Sequence, residues 1–185
     1  MLKQDLLNIL NDLSLTDRIF ENMEGLPPNT ISNIQGIVPK DIKELVFKHL
    51  YPHKLKKLQK EFVDIKKTKK WQFDSSQSAI FNFVVNTEKS TTFTVEGYTI
   101  TLAVGTNDFG FKHFILKHYG SGCNGEVKAI DILKIGNIIK NDIVTEASDD
   151  TKIKFTQNKG DNVLYTLIVK KKKHNELIVS FFSSK

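Results

Sequence analysis

The sequence predicts an α+β fold: a helical N-terminal region followed by a small domain with two short helices packed on an antiparallel sheet. Three observations predict it. Over residues 1–70 apolar side chains recur at three- and four-residue spacing. From Trp71 onward the pattern turns to short runs rich in β-branched and aromatic residues, punctuated by Gly, Asn and Asp. The C-terminal stretch then holds three such runs joined by short polar links, as an antiparallel meander requires.

Taken in order, Leu2, Leu6, Leu7, Ile9, Leu10 and Leu13 mark a short amphipathic helix, and Leu15–Met23 a second. Gly25–Asn29 (GLPPN) breaks the pattern. Pro39 suits a first helical turn, and Asp41 and Glu44 favour the positive end of the helix dipole. Ile42, Leu45, Val46, His49 and Leu50 continue that helix. Pro52 predicts the start of another, with Leu55, Leu58, Phe62 and Ile65 on one face and the lysines largely elsewhere. Ala79–Asn86, Thr91–Val95 and Tyr98–Val104 read as strands, the last two joined by Glu96-Gly97. A turn at Asn107–Gly110 leads into a helix over Phe111–Tyr119, and Ala129–Lys140 reads as a further helix. Lys152–Gln157, Val163–Lys170 and Glu176–Phe182 are the meander strands. The expected organisation is a helical extension over 1–70, for docking or regulation, and a domain over 71–185.

With 185 residues the chain can bury a core without disulfides or metals. Its 39% hydrophobic and 26% charged residues exclude a disordered composition. The net charge of +6 comes almost entirely from lysine, because Arg18 is the only arginine, and this excludes an arginine-rich reader of nucleic acid. A milder attraction to polyanions fits. The charge is uneven: residues 1–39 carry −3, residues 40–70 carry +7, and residues 71–185 carry +2. Lys54 and Lys57 in the basic segment are candidate RNA contacts, set against a plain solvated helix face. The lone Cys123 excludes a disulfide framework and a thiolate zinc cluster, which suits a cytoplasmic setting. No apolar run is long enough to span a membrane and no signal peptide is visible at the N-terminus.

The densest polar constellation lies in Gly110–Gly120 (GFKHFILKHYG). His113 and Lys117 are four apart and share a helix face. His113 and His118 are five apart, about 140° around an ideal helix. They flank one substrate only if the helix begins after His113 or frays at Tyr119. Histidine suits proton transfer near neutral pH. A neighbouring lysine can hold a phosphate or stabilise its developing charge. This set suffices for RNA cleavage without a metal, and no metal or cofactor is expected. The His-x4-His spacing is not a zincin pattern and lacks an intervening acid. In the C-terminal strand, alternation sends Ile178, Ser180 and Phe182 to one face. Ser180 there can bond a phosphate or a histidine, and Phe182 can stack a base.

These motifs and their order resemble the phage-associated Barnase–EndoU–colicin–RelE-like nucleases, a superfamily of small metal-independent ribonuclease domains. The resemblance covers residues from about 71 to 185. It rests on Gly110, Phe111, His113, Lys117 and His118, then the helical stretch Ala129–Lys140, then Ser180 and Phe182. It implies His113 and His118 as acid and base, Lys117 as the phosphate cation and Ser180 as a supporting contact. Lys112, Tyr119 and Phe182 are further RNA-binding candidates. The sequence departs from the pattern where Tyr119 precedes Gly120, and where lysine must replace the phosphate-clamping arginine of many relatives. The expected partners are RNA, with tRNA as one candidate, and an inhibitor or delivery protein bound through the N-terminal helices. The competing expectations are an inactive, nuclease-like accessory module that binds nucleic acid or protein, and a toxin governed by a cognate inhibitor.

Overall fold

The computed structural model describes residues 40–69, 72–121, 125–140, 143–146, 151–160, 163–173 and 175–184. The two helices expected before residue 24, the break at Gly25–Asn29 and the lone Cys123 lie outside the described residues. The long helix α1 (Lys40–Lys69) is followed by α2 (Ser75–Val85), the hairpin β1 (Ser90–Val95) and β2 (Tyr98–Ala103), and α3 (Phe111–Lys117). Two single-turn helices, α4 (Ala129–Leu133) and α5 (Ile135–Lys140), precede β3 (Ile143–Glu146), β4 (Lys152–Gly160), β5 (Val163–Lys171) and β6 (Glu176–Ser184).

The strands form one sheet in the order β1-β2-β6-β5-β4-β3. All neighbours are antiparallel except β2 and β6, which run parallel over a short register at Ile100–Glu176 and Thr101–Leu177. Glu96 and Gly97 both take positive φ, +49° and +81°. Two consecutive left-handed residues make the turn whose twist matches the flanking strands. A bulge between Ile168 and Val169 leaves Val179 of β6 unpaired with β5. Its carbonyl instead accepts from the Gly110 amide at 2.8 Å, which fastens the start of α3 to β6.

Alternation divides the sheet cleanly. Phe93, Val95, Ile100, Leu102, Ile153, Phe155, Tyr165, Leu167, Val169, Ile178 and Phe181 belong to the buried cluster with the helices. The opposite face, by register, carries Thr92, Thr101, Thr156, Thr166, Ile168, Ser180 and Phe182, with Lys152, Lys154 and Lys170 toward one end. This face is rich in hydroxyls, of which those of Thr166 and Ser180 belong to buried residues, and basic at one end.

Three elements differ from the sequence expectation. The run Ala79–Asn86 is helix, not strand. Asp74 and Gln77 form a reciprocal capping box: the Gln77 amide donates to Asp74 Oδ1 at 2.8 Å, and the Asp74 amide donates to Gln77 Oε1 at 3.2 Å. Ile80, Phe81, Phe83 and Val84 then bury a helical stripe despite their strand-like composition. The second difference is Pro52, which lies inside α1 and starts no new helix. Phe47, Leu50, Lys54, Leu58 and Phe62 form one buried stripe across it, and the exposed proline ring faces away. Third, Ala129–Lys140 is two short helices broken at Lys134.

Helix α1 shares the core of the sheet. Leu58 and Phe62 are fully buried in the same cluster as Ile100 and Phe181. It also bonds carbonyls at the C-terminal ends of two other helices. Gln59 Nε2 donates to the Val84 carbonyl of α2 at 2.9 Å, and Lys54 Nζ donates to the Tyr119 carbonyl just past α3 at 2.7 Å. No described helix is long and apolar enough to cross a membrane.

Candidate functional site

The site is built by the loop before α3, by the end of α3, and by the C-terminal half of β6. Gly105 has φ +70°, and a Cβ added there would collide with the Phe109 carbonyl oxygen. The loop therefore folds tightly back: the Thr106 amide donates to Phe109 O at 2.9 Å and the Lys112 amide to Val104 O at 2.8 Å. This aims the Asn107 carbonyl at His113 Nδ1, 2.9 Å away. An N–H must fill that contact, so Nδ1 is the protonated nitrogen and Nε2 is left as the basic one.

His118 sits at the C-cap of α3, where φ −118° departs from helical values. Its amide still donates to Phe114 O at 2.8 Å, and its ring centroid lies 6.2 Å from that of His113, at 72°. The backbone beyond is held by a strand-like segment: the Val127 amide donates to His118 O at 2.9 Å, and the Gly120 amide to Val127 O at 3.2 Å. The same segment crosses to β6. There the Ser183 hydroxyl donates to Glu126 O at 2.7 Å and its amide to Gly125 O at 3.3 Å. The Gly125 carbonyl also lies near the His118 ring, where it favours the charged form. Gly125 has φ +102°, and a Cβ there would lie 3.1 Å from His118 Nδ1, so glycine makes room for the imidazole.

Both histidines have their charged forms disfavoured. Burial pushes His118 down to about 4, helped by the neighbouring His113, Lys117 and Lys54 charges and opposed by the Gly125 carbonyl. Burial also lowers His113; the Asn107 carbonyl opposes this, Lys117 adds to it, and Asp108 opposes it. The charge of Lys117 therefore reaches both rings. Phe182 lies against His118 with ring centroids 5.5 Å apart and a tilt of 32°.

The structure brings together His113, Lys117, His118 and Phe182. Lys112 lies beside them with its ammonium 5.5 Å over the Tyr51 ring of α1. Ser180 is on the polar sheet face two residues before Phe182, largely buried, and shares no hydrogen bond with either histidine. Two RNA-contact expectations need correction. Tyr119 is 2% exposed, because its side chain joins the core, so it has no face for a base. Lys54 is 9% exposed and turned inward to backbone carbonyls, so it is not part of the solvated lysine face. Lys57 is exposed on α1. Sequence reasoning missed Asn107 and Gly125, which act through backbone groups, and Ser183, which acts through its hydroxyl and its amide. The positive-φ glycines flanking the histidine helix were the available signal. Among the described residues no group of three or more His, Cys, Asp or Glu is placed to hold a metal ion.

The loop geometry carries a prediction. Gly105→Ala should destabilise the protein by on the order of 2–3 kcal/mol, from left-handed strain plus the collision with Phe109. Gly97→Ala shares the positive φ but meets nothing within 4 Å, so it should cost only about 1 kcal/mol. Urea midpoints of the two variants check this; equal losses would mean that the Phe109 contact relaxes freely.

No family model, curated protein or solved structure matches this chain.

Proposed function

We propose that the protein is a metal-independent endoribonuclease that cleaves by transesterification at the 2′-hydroxyl. The observation that carries this reading is the His113–His118 pair, 6.2 Å apart, with Lys117 acting on both rings. His113 is anchored to the Asn107 carbonyl through Nδ1–H, which leaves its Nε2 to exchange a proton, and His118 faces it across 6.2 Å. His118, neutral down to about pH 4, suits the base that takes the 2′-hydroxyl proton. The 2′-oxygen then attacks phosphorus, forming the new P–O bond. The P–O5′ bond breaks, and His113 in its protonated form delivers a proton to the departing 5′-oxygen. The products are a 2′,3′-cyclic phosphate and a 5′-hydroxyl. Lys117 supplies the positive charge for the non-bridging oxygens. The polar sheet face supports a single-stranded substrate. It runs from Lys152 and Lys170 to Phe182 beside His118, a span of about 13 Å along β5 from Lys170 to Thr166, the partner of Phe182.

The test is incubation of the protein with total RNA and with tRNA in excess EDTA, with end-group analysis of the fragments. Cyclic phosphate ends are the expected outcome. Intact RNA across all substrates between pH 4 and 8 would defeat the proposal. The runner-up is a nuclease-like module that binds without turnover. The exposed lysines 56, 57, 60 and 67 along α1 favour it, and salt-sensitive RNA binding with no cleavage would select it.

A further inference from the structure

Lys54 reaches the site from the helix that sequence reasoning set apart as an extension. Its Nζ donates to Tyr119 O at 2.7 Å and to Leu116 O at 3.4 Å. These two carbonyls flank His118 in the chain. Leu116 belongs to the last turn of α3, beyond Phe114, whose carbonyl takes the His118 and Tyr119 amides at 2.8 and 3.1 Å. A buried ammonium at this end both bonds these acceptors and complements the negative end of the helix dipole. On its other side the His118 backbone is tied to Val127 at 2.9 Å. The segment carrying the imidazole is thus gripped from two directions, and one grip is supplied by α1.

We propose that Lys54 is a positioning residue for His118, so that α1 is part of the reactive site. Lys54 touches no substrate in this role. It holds the carbonyls on either side of His118, and so fixes the backbone from which the ring meets His113. Its charge also bears on the His118 ring, in the same direction as His113 and Lys117. The catalytic consequence rests on the histidine pair being the reactive group, but the grip on His118 does not.

The test uses the full chain. Lys54→Met removes donor and charge, Lys54→Gln keeps a donor without charge, and Lys54→Arg keeps both. The first readout is the NMR titration of the His118 ring. In Lys54→Met and Lys54→Gln it should shift to higher pH, with Lys54→Arg close to wild type. The second readout is RNA cleavage. Lys54→Met should lower kcat by about 10- to 100-fold with KM little changed, since displaced catalytic groups lose rate rather than affinity. A folded Lys54→Met protein with wild-type His118 titration and wild-type kcat would overturn the proposal. So would failure of both Lys54→Met and Lys54→Gln to fold, which would assign Lys54 to stability alone. If wild-type protein cleaves no RNA, the ribonuclease reading fails, while the His118 titration still decides the role of Lys54.

Discussion

His118→Asn is expected to slow RNA cleavage by about 10²–10⁴-fold, and His113→Asn by a similar factor, with the fold intact in both. Neither ring belongs to the buried core cluster, so an amide can replace it without opening a cavity in the core. The double variant should be little worse than the more damaged single one, because an acid and a base that act in one step do not contribute additively.

The two variants separate through pH. Activity of the free enzyme requires His118 without its proton and His113 with one. His118 loses its proton above about pH 4. His113 loses its own below the ordinary histidine value, because burial and Lys117 disfavour its charged form. For wild type, kcat/KM should therefore trace a bell on the acid side of the ordinary histidine range, rising as His118 deprotonates above about pH 4 and falling on the basic side as His113 does. His118→Asn should lose the acid limb and His113→Asn the basic limb. Bound substrate should move the kcat profile toward neutrality, since a phosphate anion favours both imidazolium forms. Initial rates from pH 3.5 to 8 on a short oligoribonucleotide check this. Unaltered limbs in both variants would remove the histidines from the chemistry.

The legible part of this protein was local. The hairpin at Glu96-Gly97, the short histidine helix and the three meander strands follow from turn residues and period-two alternation within single segments. The strand expected at Ala79–Asn86 failed because β-branched and aromatic content was weighed above the Asp74–Gln77 capping box, which was equally present in the sequence. Pro52 misled for a different reason: whether a proline breaks a helix depends on which side of it the core lies, and that is set by α2 and α3. At the site, the histidines and Lys117 were legible by residue type. Their convergence was not, since it depends on how the backbone around His118 is held. That backbone is held by Val127 and by Lys54, which lies more than 60 residues away in sequence. The inward turn of Lys54 was hidden too, because one lysine among eleven in a basic segment carries no mark of burial.

The same contacts make Phe62→Ala the substitution with the largest expected effect on stability. Phe62 is fully buried, and its ring stacks on Phe81 of α2 at 6.2 Å and 12°. Phe81 in turn meets Phe73 at 5.4 Å. Truncation removes the ring from this cluster and leaves a void between two helices that cannot close together, because Gln59 and Lys54 pin α1 to the ends of α2 and α3. The expected loss is about 3–5 kcal/mol, against no more than about 0.5 kcal/mol for Lys60→Ala on the exposed side of the same helix. Domains of this size are stable by only about 5–15 kcal/mol, so a chain beginning at residue 71, which lacks Leu58 and Phe62 altogether, should not fold cooperatively. Urea unfolding followed by far-UV circular dichroism tests both statements. If α1 were an appendage, Phe62→Ala would leave the main transition in place, and residues 71–185 alone would unfold at the full-length midpoint. If α1 completes the core, the single transition of the full chain moves to lower urea in Phe62→Ala and is absent from the truncated chain.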